Sequence, residues 1–301
     1  MGGEVSKERV DGATATGVLV LSQCNLHSWK KIVKTLAGLS HLRGVALDRN
    51  RLSKPLPSSV LRLDMWSTLR ILDLSSNGLT CACVLGGLGG CTLSKKKERR
   101  TGGLRVVYPL ESLNLSNNRL LQLPPLLLDT FPKLQRLICR GNTVPLDMQG
   151  GFACRVGSGA ALAMIDLGCS QLRSFYLLDD AVEGADPARS FFPSLSELLL
   201  DGNCLGGTFT LVSSQWAGPK AGCFPLLKTI NVASQKQILE RVDPSVYVVV
   251  PSLHMVILTG NAMQDVMMAD LRHSKEYQQW SERRKSDVDK QLRFTGSAAL
   301  M

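Results

Sequence analysis

The chain has 301 residues and a formal net charge of +10, with 44% hydrophobic and 20% charged residues. This balance is typical of a folded protein and excludes a largely disordered one. Leucine is unusually frequent, at 50 residues, whereas aromatic residues make up only 5%. The composition favours a repeated aliphatic core over one irregular core. No run of about 18 apolar residues is present, which argues against a transmembrane helix.

The N-terminal segment has no apolar signal core, so a cytoplasmic location is expected. Its first six residues fit the pattern M-G-x-x-x-S, which makes Gly2 a candidate site of N-myristoylation. A single acyl chain anchors a protein only marginally without a second signal. Residues 1–15 are predicted to form a flexible segment ahead of the first repeat.

A repeat with the pattern LxxLxLxxNxL covers residues 16–265. Three segments fill every fixed position of the pattern, at 69–79, 110–120 and 195–205. Six others match it with substitutions. The resulting nine anchor positions are Cys24, Asn50, Asn77, Asn118, Asn142, Ser170, Asn203, Gln235 and Asn261. Each LxL segment predicts a short strand with alternate residues inward, and each Asn predicts a turn in which its amide bonds to backbone groups.

Nine such units in tandem identify the chain as a member of the leucine-rich-repeat superfamily. The resemblance implies an α/β solenoid, shaped as a horseshoe, with parallel strands on its concave side and mixed helical and irregular structure on its convex side. One repeat cannot bury its leucine face alone, so the units must stack. On the convex side, apolar residues spaced from Trp29 to Leu36 after Ser28 predict a helix with an exposed lysine face.

An insertion is predicted near residues 81–104, because the step from Asn77 to Asn118 is longer than the others. It contains Cys81, Cys83 and Cys91, which with no histidine nearby do not make a four-ligand zinc site. It also contains SKKKERR, which is either a solvated loop or a signal for nuclear import or an acidic partner. Positive charge is confined to this loop and residues 1–60, so no continuous basic stripe for nucleic acid is expected.

The C-terminal residues 266–301 are predicted to form a helical cap with a loose tail after Phe294. Val266, Met267 and Leu271 are expected to cover the last repeat, because solenoid ends need covering. Two aromatic residues of this segment, Tyr277 and Trp280, either pack on the repeats or bind a partner.

No catalytic motif, cofactor site or metal site is predicted, since the chain has no Walker A, GxSxG, HExxH or kinase signature. A non-enzymatic protein-binding scaffold, monomeric and without cofactors, is therefore expected. Solenoids commonly bind along their curved face. The outward residues of the predicted strands that carry charge there are Asp48, Asp73, Arg136, Arg140, Asp166, Glu197 and Asp201.

Within the superfamily, the segment around Trp29 and the triplet Asn50-Arg51-Leu52 resemble the repeat region of the tubulin-folding cofactor E family, as do the Phe-Pro pairs at 131, 192 and 224. This resemblance implies binding of α-tubulin by surface complementarity. The alternative is a generic cytoplasmic leucine-rich-repeat adaptor of regulatory or cytoskeletal type, tethered to a membrane if Gly2 is acylated. A nuclear protein that uses SKKKERR is a weaker alternative.

Overall fold

The computed structural model describes residues 5–82, 85, 108–123, 127–142, 160–177, 192–212 and 224–298. Gly2 and most of the predicted insertion near 81–104 lie outside the described residues, so the expectations about acylation and about SKKKERR stay predictions.

Eleven short strands follow one another along the described chain. They are β1 Val18–Val20, β2 Gly44–Ala46, β3 Ile71–Asp73, β4 Ser112–Asn114, β5 Arg136–Ile138, β6 Met164–Asp166, β7 Glu197–Leu199, β8 Gly207–Phe209, β9 Thr229–Asn231, β10 Leu239–Val242 and β11 Met255–Ile257. Nine of them form one sheet in the order β1-β2-β3-β4-β5-β6-β7-β9-β11, and every pairing in it is parallel. Each of these nine lies in one predicted repeat, which confirms the predicted solenoid.

Two further strands, β8 and β10, form a separate parallel pair that the sequence analysis did not predict. They lie between the repeats that contribute β7, β9 and β11 to the main sheet. The buried ends of this pair, Phe209, Leu239 and Val242, join the hydrophobic core on the side away from the main sheet.

The middle residue of each strand in the main sheet points into the core. From β1 to β9 these residues are at most 4% exposed, and they are Leu19, Val45, Leu72, Leu113, Leu137, Ile165, Leu198 and Ile230. Three phenylalanines that precede repeats, Phe131, Phe192 and Phe224, are fully buried behind the sheet. Their rings widen the core on that side: Trp66 lies 5.9 Å from Phe131, and Phe192 lies 6.2 Å from Phe224.

A ladder of buried polar side chains, most of them amides, joins successive repeats. In the repeat of β4, the Asn118 Nδ2 donates to the Leu115 carbonyl at 2.9 Å and to the Leu74 carbonyl of the preceding repeat at 3.0 Å. Its Oδ1 accepts from the backbone N–H of Leu79 at 2.9 Å. The same pattern recurs at the other ladder asparagines: Asn50, Asn77, Asn142, Asn203 and Asn261.

Two anchor positions without asparagine make part of the same set of bonds. The Gln235 Nε2 donates to the Leu200 carbonyl at 2.9 Å, and its Oε1 accepts from the Leu205 N–H. The Ser170 hydroxyl donates to the Cys139 carbonyl at 2.9 Å. The ladder is therefore continuous through these repeats, although the side chains that form it differ.

The N-terminal segment is a helix, where a flexible segment was predicted. Helix α1 (Lys7–Thr16) starts at Ser6, whose hydroxyl accepts from the Arg9 N–H, and ends at Gly17 in the left-handed conformation (φ 74°). Its Ala13 is buried in the core. The sequence analysis missed it because α1 has almost no amphipathic pattern, so capping and contact with β1 stabilise it instead.

The remaining helices lie around the core. Helix α2 (Trp29–Ala37) confirms the predicted amphipathic helix, although the Ser28 side chain makes no capping bond. The others are the 3-10 helices Ser58–Arg62 and Asp64–Ser67, α3 Leu127–Thr130, α4 Val246–Val249, α5 Gln264–His273 and α6 Lys275–Ala298.

Helices α5 and α6 form the C-terminal cap. Met267 and Leu271 are buried against the last repeats as expected, whereas Val266 is 48% exposed and takes no part. Tyr277 and Trp280 pack within 5.3 Å of each other, and both contact the Tyr247 ring of α4. The Trp280 Nε1 donates to the Leu253 carbonyl at 3.0 Å. Helix α6 continues to Ala298, past the point at which a loose tail was predicted.

The ladder predicts a specific cost for Asn118→Ala. The substitution leaves the Leu74 and Leu115 carbonyls and the Leu79 N–H buried without their bonds, so the free energy of unfolding should fall by about 1–3 kcal/mol. Urea unfolding followed by circular dichroism measures it. The control is Asn117→Gly, an exposed neighbour at φ 53° where glycine is unstrained; equal losses in the two variants would contradict the role of the amide.

The burial of Tyr247 in the cap predicts that the free energy of unfolding depends on pH in the alkaline range. Burial, and secondarily the neighbouring Tyr277, raises the pKa of Tyr247 from 10 to about 12. Because the pKa is higher in the folded state, its contribution to stability is complete below pH 10 and is lost as the pH rises from 10 to 12. Tyr247→Phe should therefore lose less stability than the parent in that window. Urea unfolding of both proteins at pH 8, 10 and 11.5 tests this. The same dependence of stability on pH in the parent and in Tyr247→Phe would refute it.

Candidate functional site on the concave face

The face of the main sheet that points away from the core carries three rows of side chains, and we call it the concave face. The first residue of each strand forms one row and the third residue forms the second. The residue two positions after the end of each strand, which follows the next inward residue, forms the third row. The first row, in spatial order, is Val18, Gly44, Ile71, Ser112, Arg136, Met164, Glu197, Thr229 and Met255.

The centre of the concave face holds a network of three charged residues. The Arg140 Nη1 lies 3.1 Å from the Asp166 Oδ1 and 3.0 Å from the Asp201 Oδ1, and its Nη2 bonds to the Asp201 Oδ2. Asn231 donates to the same Asp201 at 3.3 Å. Asp166 is only 8% exposed. The sequence analysis selected all three charged residues, and the structure brings them together within the protein.

A glycine makes this network possible. Arg140 and Asp201 lie two repeats apart in the third row, and Gly168 lies between them. A Cβ at Gly168 would lie 2.7 Å from the Arg140 Cζ and 3.1 Å from the Asp201 Oδ1, so only a residue without a side chain lets the guanidinium cross. The hydrogen bond to Asp201, together with the charge of Asp166, raises the pKa of Arg140 above its usual value.

Two more of the selected aspartates are also held by neighbours. The Asp73 Oδ1 accepts from the Ser75 N–H at 2.8 Å, and its Oδ2 accepts from the Asn114 amide at 3.1 Å. Asp48 accepts from the Ser22 hydroxyl and lies 3.9 Å from the Arg49 Nε. These carboxylates are therefore engaged in turns and between repeats.

The bond from Asp73 to Ser75 is one case of a recurrent turn. Asn114, Asp166 and Asn231 also end a strand and accept from the N–H two residues later. This is an Asx turn, in which a short polar side chain satisfies the local backbone. The sequence analysis assigned the aspartates to partner binding and missed this role. An Asp or Asn two residues before a small residue, as in DLS, NLS, DLG and NVA, is the signal that could have revealed it.

Arg136 and Glu197 are the selected residues that stay available. Both are exposed, and they flank Met164 in the first row. Within the described part of the chain, neither makes an ion pair or a side-chain hydrogen bond. Opposite charges two strands apart, about 10 Å, can each bind a complementary group of a partner.

An apolar patch, which the sequence analysis did not select, covers the N-terminal end of the concave face. It consists of Val18, Val20 and Ile71, which are 45%, 49% and 54% exposed, around Gly44 and Ala46. A Cβ at Gly44 would have only the Val18 methyl groups within 4 Å, so Gly44 leaves a hollow between Val18 and Ile71. An exposed apolar cluster with a polar border is typical of a protein-binding surface. The sequence signal for it was β-branched apolar residues at the outward positions of the predicted strands.

The described residues contain no group of three or more His, Cys, Asp or Glu side chains that could hold a metal ion. They also contain no helix that is long and apolar enough to cross a membrane.

Comparison with known proteins agrees with the fold. The family model of the leucine-rich repeat matches residues 109–131. The chain folds as a leucine-rich-repeat solenoid. It is 27% identical over 173 residues to tubulin-specific chaperone E of Bos taurus. The matched region covers 53% of this chain but only 32% of the relative. The chain thus spans about a third of the length of this curated relative.

Solved structures of repeat proteins are similar at lower identity. The leucine-rich-repeat ectodomain of a plant membrane receptor kinase from Arabidopsis thaliana is 19% identical, covering 75% of this chain and 28% of its own, with a TM-score of 0.39. A leucine-rich-repeat protein of Leptospira interrogans is 18% identical, covering 76% of this chain and 57% of its own, with a TM-score of 0.34. Neither similarity bears on function.

The network at Arg140 predicts that Gly168→Ala lowers stability by displacing the guanidinium. The expected loss is about 0.5–1 kcal/mol, because the pair is partly exposed to solvent. In an Arg140→Met background the same substitution should cost much less, and a double-mutant cycle from urea unfolding measures the difference. If Gly168→Ala cost the same in both backgrounds, the glycine would not act through Arg140.

Proposed function

We propose that the chain is a non-enzymatic scaffold that binds a protein partner along its concave face, and that this partner is tubulin. The observation that supports binding along the concave face is that its outward residues differ in how far they are bonded within the chain. Most of its carboxylates already have partners within the chain, whereas the apolar patch (Val18, Val20, Ile71) and the pair Arg136 and Glu197 do not.

The apolar patch supplies the affinity in this proposal. Burying exposed apolar surface contributes about 25 cal/mol per Å², and a partner side chain that enters the hollow at Gly44 buries three large residues at once. Arg136 and Glu197 then set the orientation, because exposed charges contribute more to specificity and association rate than to affinity. Arg140, Asp166 and Asp201 keep the centre of the sheet rigid between these two contact regions.

Tubulin is proposed as the partner on two grounds. A curated protein to which the chain is similar is a tubulin-specific chaperone, and the similarity extends over 53% of this chain. The motifs at Trp29 and Asn50 resemble the tubulin-folding cofactor E family, for which the sequence analysis expected α-tubulin as the bound subunit. A cytoplasmic location belongs to the same proposal, since it is where tubulin is found.

The experiment is size-exclusion chromatography and fluorescence titration of the purified chain with αβ-tubulin dimer. The parent should co-elute with tubulin or separate its subunits. Val20→Asp/Ile71→Asp should weaken binding by tenfold or more, because two charges then oppose burial of the patch. Leu226→Asp is the matched control: Leu226 is 51% exposed, as the patch residues are, but lies in the turn before β9 and off the concave face.

The outcomes separate the two parts of the proposal. Loss of binding in the double variant, with the control unchanged, supports both. Equal loss in variant and control would contradict the concave face as the binding surface. No binding by folded parent would exclude tubulin and favour the alternative, a generic adaptor with another protein partner.

A further inference from the structure

The two ends of the main sheet are closed differently. At the first strand, α1 supplies partners for the outer edge: the Thr16 hydroxyl accepts from the Val18 N–H at 3.2 Å, and the Arg9 Nη1 donates to the Val20 carbonyl at 3.1 Å. The inward residue of that strand, Leu19, is fully buried. The N-terminal edge of the sheet is therefore covered by the chain itself.

At the last strand, β11, the outer edge is open. Met255 and Ile257 bond to the repeat of β9, through the Lys228 carbonyl and the Val232 N–H respectively. In a parallel pairing alternate residues face opposite edges, so the N–H and C=O of Val256 and the N–H of Leu258 face outward. No hydrogen bond from elsewhere in the described chain reaches these three groups. The Val256 side chain is also only half-buried, unlike the inward residues of the other eight strands.

A cleft of about 500 Å³ runs along this edge, between β11 and α5. Residues 255–259 form one wall, and the facing wall is α5, with Met268 half-buried and Ala269 exposed at its centre. The cleft lies where a tenth strand of the sheet would pair. An open edge of this kind is a template for strand addition.

The side chains of α5 that line the cleft determine which peptide sequence it can bind. Asp265, Met268, Ala269 and Arg272 all line the cleft, at helix positions i, i+3, i+4 and i+7, so they share one face about 10 Å long. An extended peptide of five residues spans about 13 Å from its first to its fifth residue, and its first, third and fifth side chains share one face. An apolar third residue would therefore lie over Met268 and Val256, with one charge contact on either side of it.

The direction of α5 sets the order of the charges. Its first residue, Gln264, accepts from the Gly260 N–H just beyond the end of β11. Its last turn precedes α6, whose Trp280 bonds to the Leu253 carbonyl ahead of β11. Asp265 therefore lies near the C-terminal end of β11, and Arg272 lies near its N-terminal end.

We propose that the cleft between β11 and α5 binds an extended peptide segment of a protein partner as a tenth parallel strand, with the order acidic, x, apolar, x, basic. The acidic residue pairs with Arg272, the apolar residue covers Val256 and Met268, and the basic residue pairs with Asp265. The peptide backbone accepts from the N–H groups of Val256 and Leu258 and donates to the Val256 carbonyl. This site is separate from the apolar patch and from the pair Arg136 and Glu197, and it does not depend on the partner proposed for them.

A second copy of the chain does not fit this cleft. Its own β11 would bring the core layer behind that strand, including Leu253 and Val250, and its own α5 into the space that the first α5 occupies. A single strand has no such layer attached, and a cleft of about 500 Å³ holds only a short segment. The occupant is therefore a peptide segment rather than another solenoid.

The test uses two labelled peptides of the same composition, acetyl-Glu-Thr-Val-Thr-Lys-amide and its reverse, acetyl-Lys-Thr-Val-Thr-Glu-amide. Fluorescence anisotropy with the full chain should show the forward peptide binding about fivefold or more tightly than the reverse. The charge swap Asp265→Lys/Arg272→Glu should invert this preference. Both residues are exposed, so the fold should persist, and circular dichroism checks that it does.

Hydrogen exchange monitored by NMR adds a direct readout, since the amides of Val256 and Leu258 should exchange more slowly with the forward peptide bound. The variant Val20→Asp/Ile71→Asp should bind the peptide as the parent does, and the charge swap should bind tubulin as the parent does. Equal binding of the two peptides to the parent, an unchanged preference in the charge swap, or no binding at about 1 mM to folded protein would overturn the proposal.

Discussion

The structure depends on the ladder residue of each repeat, which carries a side-chain amide in seven of the nine repeats. A carboxamide has two donors and an acceptor with two lone pairs, and the ladder uses both kinds in two successive repeats. Asn118, for instance, holds the turn of its own repeat while satisfying a carbonyl and an N–H of the preceding one. Without it, the turn after each strand would bury unpaired backbone groups. The ladder therefore fixes how far apart neighbouring repeats lie, and the sheet and leucine core follow from that spacing.

This fixed spacing also determines what the concave face can do. Residues at equivalent positions of neighbouring strands lie about 4.8 Å apart, so an ion pair between neighbouring strands forms without movement of the backbone. Arg140 reaches past that limit to Asp201 only because Gly168 leaves room. Where charges meet in this way they stabilise the sheet and are not available to a partner. The recognition surface that we propose consists of positions where the pattern places apolar or unmatched residues, at Val20, Ile71, Arg136 and Glu197.

The fold could be predicted from the sequence because the repeat encodes it locally. Leucines at fixed spacing specify the inward residues, and the ladder residue specifies the turn, so the nine strands of the main sheet lie where the pattern places them. The candidate site was less predictable, because the pattern says which residues point outward but not which of them bond to each other. The sequence indicates an acidic surface at Asp166 and Asp201, whereas in the structure Arg140 bonds to both carboxylates. Helix α1 was missed for a similar reason: its stability comes from its caps and from contact with β1.

The ends of the sheet are where the repeat no longer determines the structure. Every inner strand is satisfied by its two neighbours, so the first and last strands must find other partners or stay open. At β1, Thr16 and Arg9 bond to the Val18 N–H and the Val20 carbonyl. Met268 and Ala269, which line the cleft beside Val256, carry no group that bonds to its backbone. A helix can cover the core of the last repeat through Met267 and Leu271 and still leave the strand edge unpaired, because its own backbone groups bond within the helix. The cap therefore closes the hydrophobic core without closing the sheet, and this difference leaves β11 available to an added strand.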